Sequence, residues 1–147
     1  CRGVIVYEVQ QSSDLTFRIY DYNRPGPDGN PRELHIDRAL DVIAFPDRPQ
    51  KPVHWRDLAG KTETRVLLVE SEHFLLERHS PTAGRTEHTS NASFAALTLL
   101  CGNAEIRTDK ESCRAFRGDP VLIPAGRAFV LTRQDNTHLE YLVSSVP

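Results

Sequence analysis

The chain has 147 residues, 39% apolar and 26% charged, with a formal net charge of −2. That is room for one ordinary domain with a real core and a normal water-facing surface. No apolar run approaches the ~18 residues that cross a bilayer, and interleaved acidic and basic residues leave no face suited to nucleic acid or anionic lipid.

Gly3 to Gln10, rich in Val, Ile and Tyr, is expected to form a strand. Ser12-Ser13-Asp14 breaks it, and Thr16 to Tyr20 begins a second strand. The stretch from Asn23 to Pro31 is dense in turn formers and is expected to be a surface loop. From Glu33 onward Leu34, Ala39, Leu40 and Ile43 fall on one side at helical spacing, which predicts a single short helix over about 33–44, stopped by Pro46. Pro46, Pro49 and Pro52 then mark a connector.

Beyond Lys61 every apolar run is short and strand-like. Arg65 to Val69, Phe74 to Glu77, Phe94 to Leu100, Val121 to Ile123, Ala128 to Thr132 and Leu139 to Val143 are separated by turn signals. This pattern predicts a mostly β chain, an antiparallel barrel or jelly roll over 59–147, preceded by a strand pair, loop, helix and connector over 1–58.

The chain opens on Cys1 inside an apolar strand pattern, as a piece of a longer product would, and its first residues lack the features of a secretory leader. An odd number of cysteines argues against a disulfide framework and for a reducing, cytoplasmic setting. Cys1 and Cys113 have no partner at metal-ligand spacing, and Cys101, inside the run from Ala95 to Leu100, is expected in the core.

Chemistry is sparse but local. Gly118-Asp119-Pro120-Val121-Leu122-Ile123-Pro124-Ala125-Gly126 has a glycine entry, an apolar strand and a Pro-x-Gly exit. It resembles the second motif of the cupin superfamily, whose metal-binding members carry a His three residues after the last Gly. Here that position is Phe129, and a phenyl ring has no lone pair for a metal. No His-x-His occurs in the chain, so the expectation is a cupin barrel with no metal ligands of its own. His73, His79 and His88 lie within one stretch but off metal-ligand spacing and are expected to be solvated surface residues; His35, His54 and His138 are isolated.

The polar row Glu8 to Arg18 is different in kind. Gln11 and the serines can donate to and accept from hydroxyls. Arg18 offers a planar permanent cation suited to phosphate or an enediolate oxygen, and Asp14, four residues earlier, is placed to orient it. Arg24 and Arg32 are loop arginines expected to be solvated.

The segment from Val4 to Asp21 resembles the E-I-Q-Q-x-S-D-x-T-Y-R-x-Y-D stretch of the bacterial type I mannose-6-phosphate isomerases. Gly29 to Ile43 is similar to their G-x-x-R-E-L-H-x-x-x-A-L-x-V-I helix, and the β-rich remainder to their C-terminal, metal-free cupin. The resemblance implies interconversion of mannose 6-phosphate and fructose 6-phosphate through a cis-enediol. It makes Arg18 the catalytic arginine, with Asp14 and Gln11 beside it as substrate-binding residues. It also implies zinc, whose ligands lie upstream of this chain, and a missing N-terminal half as partner. A second reading is a stand-alone, metal-free cupin that binds a sugar or sugar phosphate.

Overall fold

The structure is a computed structural model that describes residues 3, 5–10, 15–45, 53–58, 64–89 and 92–147. It divides into two compact units, one of residues 10–52 and one of residues 1–9 with 53–147.

Among the described residues of the larger unit, nine strands form two antiparallel sheets. The strands are β1 (Arg65–Glu70), β2 (Leu75–His79), β3 (Arg85–His88), β4 (Ala95–Cys101), β5 (Ala104–Arg107), β6 (Ser112–Ala115), β7 (Pro120–Ile123), β8 (Phe129–Arg133) and β9 (Glu140–Ser145). One sheet runs β1-β2-β9-β4-β7 and the other β3-β8-β5-β6. Neighbours in these orders are mostly distant in sequence, as in a jelly roll.

The core follows from strand alternation. On β4, Ala95, Leu97 and Leu99 are buried while Ala96 and Thr98 are half-buried, and on β8 Phe129 and Leu131 alternate in the same way. With Ala104, Ile106, Ala115, Ile123, Leu139, Tyr141 and Val143 they form one cluster between the sheets. Each fully buried Leu or Ile contributes on the order of 1.5–3 kcal/mol over an exposed one. A helical turn, α2 (Trp55–Leu58), presents Trp55 to Arg78, whose guanidinium carbon lies 3.6 Å from the indole centroid.

The mostly β, cupin-type architecture is as expected, and all six predicted strands of the barrel are present. β3, β5 and β6 were not legible, because Arg-Thr-Glu-His, Ala-Glu-Ile-Arg and Ser-Cys-Arg-Ala carry charges where an apolar run is sought. Cys101 is half-buried rather than in the core. A register shift between Leu99 and Cys101 ends the alternation, leaving Leu100 and Cys101 both half-buried.

Gly102 makes the turn from β4 to β5 at φ +79°, where a Cβ would sit 2.8 Å from the His138 carbonyl oxygen. In the Gly-x5-Pro-x-Gly motif, Gly118 and Gly126 hold φ +91° and +72° on either side of β7, so the motif does fold as entry turn, strand and exit turn.

The first third of the chain differs from expectation in two ways. Its helix, α1 (Ile36–Val42), is shorter than 33–44, and of the predicted apolar face only Ala39 is buried. The expected strands over 3–10 and 16–20 join no ladder among the described residues. A strand needs a hydrogen-bonded neighbour, and Ile5 and Val6 are 90% and 70% exposed with no strand beside them.

Candidate functional site

Arg18 is fixed from both its main chain and its side chain. Its backbone N–H donates to His35 Nδ1 at 3.2 Å, and the His35 backbone N–H donates back to the Arg18 carbonyl at 2.7 Å. The guanidinium Nη1 donates to the Glu33 carbonyl at 3.0 Å. The residues just ahead of α1 therefore hold the arginine in place, and accepting at Nδ1 puts the His35 ring proton on Nε2. His35, read as isolated in the sequence, is the backbone anchor of Arg18; the signal for it was its place in the Arg-Glu-Leu-His run.

Asp21 organises the rest of this unit. It is buried at 6% exposure and accepts from Arg24 Nη2 at 2.7 Å and from Arg32 Nε at 2.6 Å, with Arg32 Nη2 on its other oxygen. Arg18 Nε stands 3.9 Å from the same carboxylate. The Arg32 hydrogen bonds, joined by Arg24, hold the Asp21 carboxyl well below the usual carboxylate range against the upward push of burial, and Asp21 in turn raises Arg32. Arg24 and Arg32 are thus not merely solvated loop cations. Both converge on one carboxylate, because Asp21 and Arg32 flank the turn that the Pro25–Pro31 bridge closes. Gln11 and Asp14 lie outside the described residues.

The barrel holds a second constellation, which corrects the reading of its histidines. His73 is exposed, but His79 is buried and His88 half-buried. Register explains why. His79 pairs with Tyr141 on β9, and His88 with Phe129 on β8, so each ring shares a face with a core aromatic. His79 stacks on Tyr141 at 5.0 Å and His88 on Phe129 at 4.3 Å. His88 Nε2 lies 2.8 Å from the Tyr141 hydroxyl, joining the two sheets, and the Glu77 carboxylate receives Arg65 at 2.6 Å and His79 at 3.2 Å.

Burial, and next the neighbouring His79, pulls His88 down to about 4, so the ring is neutral at pH 7. With Thr86 hydrogen-bonded to the Tyr141 oxygen, the Tyr141 hydroxyl is the donor to His88 Nε2. Burial also lowers His79, against the pull of Glu77. Burial lifts Tyr141 to about 12. For Glu77 burial pushes upward, but Arg65 and His79 outweigh it and the carboxyl sits low.

Zinc does not fit this constellation. Phe129 brings no donor to the motif position, and no group of three or more His, Cys, Asp or Glu among the described residues could hold a metal ion.

No family model matches the chain. Individual proteins do. It is 31% identical to the mannose-6-phosphate isomerase of Streptococcus mutans over 123 residues, 84% of this chain and 38% of that protein. It is 28% identical to the mannose-6-phosphate isomerase ManA of Bacillus subtilis over 126 residues, 85% of this chain and 39% of that protein. The chain thus spans about two fifths of the length of these curated relatives.

Among solved structures, the Bacillus subtilis mannose 6-phosphate isomerase superposes with a TM-score of 0.65 at 24% identity, covering 90% of this chain and 40% of that one. A cupin superfamily protein from Desulfitobacterium hafniense gives 0.51 at 15% identity, covering 71% and 98%. These two establish the fold as a cupin. The motifs around Arg18 and His35, the sequence relatives and the barrel agree: this chain is similar to the mannose-6-phosphate isomerases, as a counterpart of their C-terminal portion.

Proposed function

We propose that the chain is part of an aldose–ketose isomerase that interconverts mannose 6-phosphate and fructose 6-phosphate in the cytoplasm, with Arg18 as its contribution to catalysis. The observation that carries this reading is the fixing of Arg18, its guanidinium tied to residue 33 and its backbone to residue 35, within the two stretches that resemble the family.

In the reaction a proton leaves C2 of the aldose and is returned at C1, through a cis-enediol whose oxygens gather negative charge. A cation held in place before that charge develops stabilises the transition state without reorganising, most strongly in a site sheltered from water. Holding Arg18 by its backbone as well as its side chain serves that purpose. Asp14 and Gln11, on the same polar row, would bind substrate hydroxyls. In this proposal zinc is held by residues outside this chain, in an N-terminal half that completes the enzyme.

The test is Arg18→Ala in the complete enzyme. Turnover of fructose 6-phosphate is expected to fall by about 100- to 1,000-fold, the usual consequence of removing one preorganised group at a developing oxyanion. The metal content should stay the same. Unchanged turnover removes Arg18 from the mechanism.

A further inference from the structure

One end of the barrel opens into a cavity of about 270 Å³ lined by Arg65, Glu77, Glu87, His88, Ser145 and Phe129, with Ala95, Val143 and Thr89 completing the wall. None of these residues has a role in the isomerisation described above. Their meeting is a product of the topology. Arg65 and Glu77 come from β1 and β2, Glu87 and His88 from β3 in the opposite sheet, and Ser145 from the end of β9, where it pairs with Ala95 of β4. Four strands from both sheets thus deliver polar groups to one mouth above an apolar floor.

We propose that this mouth is a binding site for a small, neutral, polyhydroxylated molecule such as a polyol or a single sugar ring.

Size comes first. A volume of about 270 Å³ falls just under the ~300–1,000 Å³ of pockets for drug-sized ligands, which suits one ring or an open chain of similar length. Charge comes second. Two carboxylates, Glu77 and Glu87, face the mouth, and each is already paired, Glu77 with Arg65 at 2.6 and 2.9 Å and Glu87 with Arg85 at 2.7 Å. The imidazole of His88 is neutral at pH 7, so a phosphorylated ligand would find no unengaged cation among these lining side chains.

Hydroxyls, by contrast, donate well to carboxylates and exchange hydrogen bonds with Ser145 and Thr89. The chemistry of the floor comes third. Phe129, Ala95 and Val143 offer an apolar surface for the C–H face of such a ligand. His88, stacked on Phe129 at 4.3 Å and fixed through Nε2 by Tyr141, stands in a set orientation beside it. The site is therefore ordered before any ligand arrives, which lowers the entropy cost of binding.

The experiment is a titration of the complete protein with sorbitol, a polyol that has no carbonyl to isomerise, followed by NMR on the imidazole signals of His88. A saturable shift with a midpoint near about 1 mM is expected, weakened about tenfold in Glu87→Gln, because a hydrogen bond to a charged acceptor is lost. The Glu87 side chain is 71% exposed, so this variant keeps its fold. No saturable shift up to about 100 mM sorbitol, or an affinity that Glu87→Gln leaves alone, overturns the proposal. An equal response to glucitol 6-phosphate overturns its preference for a neutral ligand. The readout is binding at His88 and not turnover, so it stands or falls independently of the outcome for Arg18.

Discussion

The unit of residues 10–52 and the barrel are held together by different physics. In the first, Ala39 is the buried apolar residue among those described, Asp21 is the buried polar one, and Leu34, Leu40, Val42 and Phe45 are exposed. Order there comes from one carboxylate gripped by Arg24 and Arg32, and from the exchange of hydrogen bonds between Arg18 and His35. In the barrel a continuous apolar cluster of Leu97, Leu99, Ile106, Leu131, Leu139 and their neighbours joins two sheets. A core tolerates many sequences provided the pattern and volume persist, whereas an ionic hub depends on particular residues at particular places. That is why the first third of the chain resembles its relatives by motif and the barrel by alternation.

The sharpest way to break this comparison is to make the same substitution on both sides. Leu131 is fully buried and Leu40 is 55% exposed. Leu131→Ala should destabilise the barrel by about 2–5 kcal/mol, read from the midpoint of urea unfolding. Leu40→Ala should stay within about 0.5 kcal/mol. A comparable loss at Leu40 would show that the exposed face of α1 is covered in solution.

That contrast also sets what could be read from the sequence. The barrel strands over Ala95–Cys101 and Phe129–Arg133 announce themselves because their apolar residues alternate, and the Gly118-to-Gly126 motif because its glycines take positive φ. Arg18 was legible as a candidate, since a cation ending a polar row matched a known pattern. Three features were not legible. β3 and β6 are built from charged and small residues, and their pairing is decided by partners far along the chain. His79 and His88 looked like surface residues because spacing along one strand says nothing about which core aromatic lies opposite. Asp21 looked ordinary because one of the arginines that grip it, Arg32, arrives from across a turn, eleven residues away.

Removing the hub is the next largest effect. Asp21→Asn withdraws the charge that holds Arg24 and Arg32 together. Backbone amides between 18 and 35 should then exchange with solvent about tenfold faster, while protection in β4, β8 and β9 is unchanged. Faster exchange at both would mean that the two units share their stability.

Acid should also separate the two. His88 titrates at about 4 when folded and near 6.5 when unfolded. Between those values the unfolded chain binds the extra proton, so barrel stability falls as pH drops from about 6.5 to 4, and His79 adds in the same direction. Asp21 is shifted in the same direction, but in a lower pH window. Its folded value lies below the usual 3.8, so its contribution is intact above that value and is lost only as pH falls further. A urea midpoint that declines from pH 6.5 to 4.5 in the native chain, and less steeply in His88→Gln, is the expected result. Equal slopes would relieve His88 of this role.

The smallest effect tests how the sheets are joined. Tyr141→Phe keeps the ring that stacks on His79 at 5.0 Å and removes only the hydroxyl that donates to His88 Nε2 at 2.8 Å. The cost should be about 1 kcal/mol. The neutral form of His88 then loses its donor, so its titration should move up from about 4 toward the ordinary imidazole value. The two readouts are linked, because a hydrogen bond that favours the neutral ring both stabilises the barrel at pH 7 and delays protonation. If the variant loses stability while His88 titrates as before, the hydroxyl serves packing rather than this bond, and the junction between the sheets rests on the stacked rings alone.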